Sequence, residues 1–322
     1  MKAIVQDRYG SPGEVLEIRD IDRPEIGNDE VLVRTRAASV NIGDWHMMRG
    51  LPYIVRLAGG LRKPKHPVPG INVAGEVKSV GRDVRTLQPG AEVFGWCDGA
   101  FAEYACAGED NFLMKPADLT FEQSAAVGDS AITALKAVRD QAKVRPGQTV
   151  LVNGASGGVG TFAVQIANAF GAEVTGVCSA RNADMVRSIG AERIIDYALE
   201  DFTESGERYD VMLDLVSSHS LADCRRALTP RGTYVLIGKS DPGRWFGLGR
   251  LLRTLATSPF VGQTMRAFVA TANRKDLTTL KEMVEAGKVT PVIDRSYGLS
   301  EVPEAMQYQG EGHTRGKIIV TT

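Results

Sequence analysis

Through the first third of the chain, apolar positions come in short β-prone runs at residues 3–6, 31–36, 74–80, 92–95 and 101–107. Gly, Pro and Asp turns such as Ser11-Pro12-Gly13, Pro89-Gly90 and Asp98-Gly99 separate them, which predicts an all-β-leaning unit over about 1–122. From Phe121 the composition turns to helix formers. Thr120 stands as a cap before Glu122-Gln123-Ser124-Ala125-Ala126, and a helical run covers 131–141. Residues 149–152 are an apolar run suited to a buried strand, followed by a glycine-dense turn. Val159, Phe162, Ala163, Ile166, Ala167 and Phe170 then recur on one helical face, and Gly171 supplies the stop. Strand and helix alternate afterwards: strand 173–178, helix 182–189, strands 193–196 and 211–216, helix 221–228, strand 233–237. That alternation predicts an α/β doubly wound parallel sheet, with its ligand across the carboxyl ends of the strands.

The stretch 241–268 breaks the pattern, placing Arg244, Arg250, Arg253 and Arg266 among Trp245, Phe246, Leu248, Leu251, Leu252, Leu255, Phe260 and Phe268. Such a basic amphipathic segment can lie on a membrane surface. Here it reads better as a helical excursion packed over the nucleotide unit. An edge strand at 266–270, a helix at 276–286 and an apolar tail at 317–320 complete the pattern.

Composition narrows the classes. With 322 residues, 43% of them hydrophobic and 24% charged, the chain is long enough for two globular domains. A formal net charge of −1 gives no general drive toward nucleic acid or an anionic membrane. The four cysteines (Cys97, Cys106, Cys178, Cys224) are scattered without a C-x-x-C pair, and the N-terminus MKAIVQDRYG has no signal-like core. Reduced thiols in the cytoplasm are the expectation. No apolar run is long enough to span a bilayer.

The candidate chemistry centres on Ala155-Ser156-Gly157-Gly158-Val159-Gly160. It resembles the dinucleotide fingerprint G-x-G-x-x-G, and it sits between a strand and a helix as that motif requires. Gly157 would let the backbone approach a pyrophosphate, and Gly160 would let the helix lie against the strand. The second strand ends in Ser179-Ala180-Arg181-Asn182, with no carboxylate to hold a ribose 2′-OH. A hydroxyl and a guanidinium suit a 2′-phosphate, so the expected coenzyme is NADPH rather than NADH.

Taken together, MKAIV at the start, Ser39 to Asp44 (SVNIGD), Pro69 to Val77 (PGINVAGEV), the glycine turn, the YDVMLD strand and the final RGKIIVT resemble the medium-chain dehydrogenase/reductase superfamily. The likeness is to its zinc-independent quinone oxidoreductase branch and covers nearly the whole length. It implies a GroES-like β domain from 1–122 and 271–322, around a Rossmann NADPH-binding domain at 123–270, with the active site between them.

Zinc enzymes of that superfamily hold the ion with Cys, His and Cys, because thiolate and imidazole ligands polarise an alcohol oxygen. By the resemblance, Asn41 stands at the first ligand position, Ile71-Asn72 replaces a His-Glu pair, and Ser130 stands for the last Cys. Asp44, His46 and His66 do not supply a placed set of three ligands. No metal site is therefore expected, and Cys97 and Cys106 read as core thiols. Without a Lewis acid, hydride transfer to a quinone or an α,β-unsaturated carbonyl is easier than alcohol oxidation, since the product oxyanion needs only hydrogen-bond donors and a proton.

The resemblance implies catalytic roles for Asn41, beside substrate and nicotinamide ribose, and for Tyr53, which either donates to the developing oxyanion or merely covers a loop. It also implies coenzyme contacts by Thr133 and Gly238 near the nicotinamide, by Ser156, Gly157, Gly158 and Val159 at the pyrophosphate, and by Ser179, Arg181, Tyr197 and Lys317 at the 2′-phosphate. Asp129 reads as a helix N-cap ahead of a proton relay. The loop 51–69, with Arg56, Arg62, Lys63 and Lys65, shapes a substrate entrance. A small-molecule acceptor is the expected partner, with a homodimer formed near 266–270. Reduction of an enoyl thioester, and an NADPH-binding regulatory protein with little turnover, are the alternatives.

Overall fold

The computed structural model describes residues 1–238, 248–258 and 261–322. Six parallel strands lie in the order Arg193–Asp196, Glu173–Cys178, Thr149–Asn153, Tyr209–Asp214, Leu228–Leu236 and Thr264–Ala267. This is the 3-2-1-4-5-6 order of a doubly wound nucleotide-binding sheet. Its central strands carry continuous buried apolar runs, Val150 to Val152 and Val211 to Leu213, because both faces are covered there. Val150 and Val152 enter one buried cluster while Leu151, pointing the other way, enters a second. The helix Gly158–Ala169 buries Phe162, Ala163, Ile166 and Ala167 against the first of these, on the face its periodicity predicts. It ends at Gly171, whose φ of +80° is the left-handed geometry that glycine adopts without strain.

The second sheet runs Ile293–Gly298, Lys317–Thr321, Glu30–Val40, Asn72–Val80, Glu92–Trp96 and Phe112–Met114, with Tyr104–Gly108 also paired to Glu30–Val40. The C-terminal strand therefore completes the sheet begun at the N-terminus. The register matters for the site. Ile318 pairs with Val40 and Ile319 with Ser39 in antiparallel fashion, which sets Lys317 across from Asn41. Alternation then divides the strand: Ile318 and Val320 join the core of this second sheet, while Ile319 joins the core shared with the parallel sheet. Lys317 has the parity of Ile319, so it turns toward the junction of the two units. The helix Arg274–Glu285 buries Leu277, Leu280 and Val284 in that shared core.

Several elements differ from expectation. The run expected at 131–141 begins at Asp129 and continues past Lys136 as a π-helical turn, Ala137–Ala142. The expected edge strand is Thr264–Ala267, a little earlier than 266–270. Of the 241–268 excursion, Arg244, Trp245, Phe246 and Phe260 lie outside the described residues, as do the side chains of Leu248 and Leu251. Its helix Leu248–Thr257 packs over the nucleotide unit through its polar side. Arg250 reaches Asp214 at 3.0 Å and the Tyr234 hydroxyl at 2.7 Å, and Thr254, one turn on, is fully buried. Leu252 and Leu255 face outward. Among the described residues, no helix is long and apolar enough to cross a membrane.

Candidate active site

The glycine turn is built around close backbone approaches. Gly154 has φ +93°, Gly157 N donates to Gly154 O at 3.2 Å, and a Cβ on Gly160 would fall 2.0 Å from Gly154 O. Only glycine at 160 lets the helix start so near the strand. Ser156, Gly157, Gly158 and Val159 are half-buried at the N-terminus of Gly158–Ala169, where the first helical N–H groups have no partner inside the helix. That is an anion site by geometry and dipole. Ser156 Oγ accepts from Asn182 Nδ2 at 3.1 Å, which ties the turn to the end of the neighbouring strand.

The residues expected at the 2′-phosphate divide into two groups. Cys178 and Asp196 are paired across adjacent strands, so Ser179 and Tyr197, each one residue further on, leave the sheet side by side. Arg181 is exposed next to them, and one of its N–H groups donates to His313 O at 3.3 Å. Ser179, Arg181 and Tyr197 thus share one rim. Lys317 does not join them. Its side chain runs inward, 2% exposed, because the register of the last strand directs it to the junction. Gly238 follows the strand Leu228–Leu236, where its N donates to Asp214 O at 3.3 Å and its O accepts from Ser217 Oγ at 2.7 Å.

Lys317 lies at the centre of a buried polar cluster. Its ammonium donates to Asn41 Oδ1, to Ser130 Oγ at 3.1 Å and to Val40 O at 3.2 Å. Asn41 Nδ2 donates to Ser39 O at 3.2 Å and to Asp44 Oδ2 at 3.1 Å, while Ser130 Oγ donates to Asn41 Oδ1 at 3.4 Å. Asn41 therefore uses both amide hydrogens and both carbonyl lone pairs within the protein. It is a fixed hub rather than a side chain offered to a substrate. Asp44 also accepts from Asn41 N at 2.8 Å, at the start of the helix Ile42–Arg49. Burial pushes Asp44 up to about 7, against the hydrogen bonds from Asn41 and the charge of Lys317. Burial lowers Lys317 to about 8, opposed by Asp44 and Asp129.

Asp129 is not the N-cap that its position suggests. Gly128 is the cap, without a side-chain bond, and Asp129 is the first helical residue; its N donates to Asn72 Oδ1 at 3.4 Å. A Cβ at 128 would strike the Asn72 amide at 2.2 Å, so Asn72 occupies the space a capping side chain would need. Thr133 is half-buried one turn beyond Ser130. Tyr53 is 39% exposed at the cleft-side loop, with the Arg56 guanidinium 5.1 Å from its ring centroid; Arg56 also lies 4.6 Å from the Tyr9 ring.

Asp44, Ser39 and the inward path of Lys317 were not anticipated, yet each left a trace in the sequence. Asn41-Ile42-Gly43-Asp44 has capping-box spacing. Lys317 shares the parity of Ile319 in an otherwise apolar strand.

A GroES-like sheet completed by the chain's own C-terminus, joined to a doubly wound sheet with a coenzyme turn facing the junction, defines a two-domain dehydrogenase. The profile described as alcohol dehydrogenase GroES-like domain matches residues 27–117, and that described as zinc-binding dehydrogenase matches 189–320. The mitochondrial NAD(P)H oxidoreductase RTN4IP1 of Mus musculus is 34% identical, covering 99% of this chain and 89% of the relative. The chloroplastic quinone oxidoreductase QR1 of Triphysaria versicolor is 30% identical over 99% of this chain and 98% of its own. The quinone oxidoreductase structure from Coxiella burnetii superposes with a TM-score of 0.87 at 29% identity, covering 100% and 99% of the two chains. The chain belongs to the medium-chain dehydrogenase/reductase superfamily, in its quinone oxidoreductase branch, and is an oxidoreductase of that family.

A zinc ion does not fit the residues at the superfamily's ligand positions. Asn41, Asn72 and Ser130 offer amides and a hydroxyl, and the Lys317 ammonium is already bonded to two of the three. Among the described residues, no group of three His, Cys, Asp or Glu side chains could hold a metal.

Proposed function

We propose that this chain transfers a hydride from NADPH to a quinone or an α,β-unsaturated carbonyl, without zinc. The observation that carries the reading is the ammonium of Lys317 hydrogen-bonded among Asn41 and Ser130, where a metal ligand set would need lone pairs rather than a cation. When bound, the reduced nicotinamide supplies a hydride and leaves negative charge on the acceptor oxygen. The protein's part is to hold and to neutralise. The turn Ser156 to Val159 receives the pyrophosphate at a helix N-terminus. Ser179, Arg181 and Tyr197 offer hydroxyl and guanidinium groups to a 2′-phosphate. Thr133 and Gly238 would border the nicotinamide ring, and Tyr53 would donate to the acceptor oxygen.

The relatives named for quinones and for NAD(P)H support a quinone acceptor and a nicotinamide coenzyme. All four cysteines are free, which suits a reducing compartment such as the cytoplasm. The outer strand Thr264–Ala267, with Leu252 and Leu255 facing outward nearby, suits a homodimer. The test is NADPH oxidation with a panel of ortho- and para-quinones, enones and enoyl thioesters, run on chelator-treated protein. Turnover with quinones or enones is expected. Turnover confined to enoyl thioesters, or none at all, would overturn the reading.

A further inference from the structure

We propose that Ser130 delivers the proton that completes reduction of the acceptor, and that Lys317 restores it. The inference rests on the function proposed above and names the proton path of that same site.

Position comes first. Ser130 lies in the first turn of the helix Asp129–Lys136, with Thr133 one turn further along. A Cβ on Gly158, the first residue of the coenzyme helix, would stand 3.6 Å from Ser130 Oγ and 3.4 Å from Lys317 Cδ. The Ser130 hydroxyl and the Lys317 side chain therefore adjoin the coenzyme turn from the side of the junction. Ser130 is 7% exposed and Lys317 2%, so Ser130 is the less enclosed residue of the pair.

Bond direction is the second argument. Lys317 can only donate, so its 3.1 Å contact makes Ser130 Oγ an acceptor. The hydroxyl's own proton is left with Asn41 Oδ1 at 3.4 Å, a long bond that costs little to leave. Asn41 loses nothing essential, because the Lys317 ammonium still donates to its Oδ1.

The third argument is the cost of the ammonium. Its hydrogen-bond partners are an amide, a hydroxyl and a backbone carbonyl, all neutral, and among the described residues no carboxylate lies within ion-pair distance of it. A purely structural role at this place would be met more cheaply by a neutral side chain. The titratable groups around it are Asp44 and Asp129, with Cys97 beyond Asp44. The two carboxylates favour the ammonium and burial opposes it, which leaves its proton easily released near neutral pH.

The step balances. Hydride from the reduced nicotinamide adds two electrons and one hydrogen to the acceptor, which becomes an oxyanion. The Ser130 O–H bond breaks and a new O–H bond forms on the acceptor. A Lys317 N–H bond then breaks, its proton moves to Ser130 Oγ, and the neutral amine recovers a proton from water.

The experiment uses the full chain with NADPH and a para-benzoquinone, comparing wild type with Ser130→Ala, Ser130→Thr and Lys317→Arg from about pH 6 to about pH 10. Wild-type kcat is expected to fall as the pH rises through about 8. Ser130→Ala should lower kcat about 100-fold with the KM for NADPH unchanged, and Ser130→Thr should restore most of it. Lys317→Arg should lower kcat at every pH and lose the alkaline limb, since a guanidinium does not release its proton in this range and so cannot restore Ser130. A readout without coenzyme is NMR of 13C-labelled lysine, where one signal missing from Lys317→Arg should titrate near 8. A wild-type enzyme active with quinone but unchanged by Ser130→Ala, or a Lys317 signal titrating at the ordinary lysine value of about 10.4, would overturn the relay alone. A wild type inert with every quinone and enone would overturn the proposed function and the relay with it.

Discussion

Two cations lie near the coenzyme turn, but their settings are opposite. Arg181 stands in solvent beside Ser179 and Tyr197 at the open carboxyl end of the parallel sheet. Lys317 is enclosed at the junction with Asn41, Ser130 and Asp44 behind it. An exposed guanidinium keeps its charge at any accessible pH and costs the fold nothing, so it is suited to grip a phosphate. A buried ammonium is costly to keep charged and is suited to exchange a proton. On the proposed roles, burial more than residue type separates binding from proton chemistry.

The sharpest way to break this contrast is through stability. Lys317→Met removes the donor to Asn41 Oδ1 and Val40 O inside a buried polar cluster, and it is expected to cost about 2 kcal/mol in denaturant unfolding. Arg181→Ala should change stability by less than about 0.5 kcal/mol. Equal effects at the two positions would dissolve the distinction.

The pH dependence sharpens it further. Lys317 is lowered from 10.5 to about 8 on folding, so the unfolded chain binds more protons between those values and stability should rise with pH across that window. Asp44 is raised from 3.8 to about 7, so the folded chain binds more protons there and stability should fall as the pH climbs across its window. Unfolding of wild type and Lys317→Met at several pH values checks both signs. The rise above about 8 should vanish in the variant.

Binding effects come next in size. Arg181→Ala removes a charge-assisted contact of roughly 1.5 to 3 kcal/mol, so NADPH affinity should fall tenfold or more in a fluorescence titration while NADH affinity stays unchanged. The smallest effect is expected for Tyr197→Phe. Losing one neutral hydroxyl should weaken NADPH by about 1 kcal/mol, roughly fivefold, and leave NADH untouched.

The same contrast explains how much could be read from the sequence. The exposed rim follows from local order: a glycine turn between strand and helix, then Ser179 and Arg181 after a strand read correctly as 173–178. These residues are close in the chain, and a parallel sheet turns chain order into strand-end position. The buried cluster is long-range. Ser130 lies 89 residues from Asn41, and Lys317 lies 187 residues from Ser130 and 276 from Asn41; the pairing of the last strand with Glu30–Val40 brings Lys317 to Asn41, and the helix Asp129–Lys136 brings Ser130. Lys317 was expected at the 2′-phosphate through the family resemblance alone; Gly316, just before it, does touch the glycine turn, donating to Ser156 O at 2.9 Å. The pleat then sends the side chain the other way. The helix Ile42–Arg49 escaped notice because its buried side chains are only Asp44 and Met48, too few to produce an apolar period.

The most direct test of the account is a titration of the coenzyme-free protein with NADPH and with NADH, followed by nicotinamide fluorescence. NADPH should bind at least tenfold more tightly than NADH, because only NADPH brings a 2′-phosphate to Arg181. Equal affinities for the two coenzymes, or no binding of either, would contradict it.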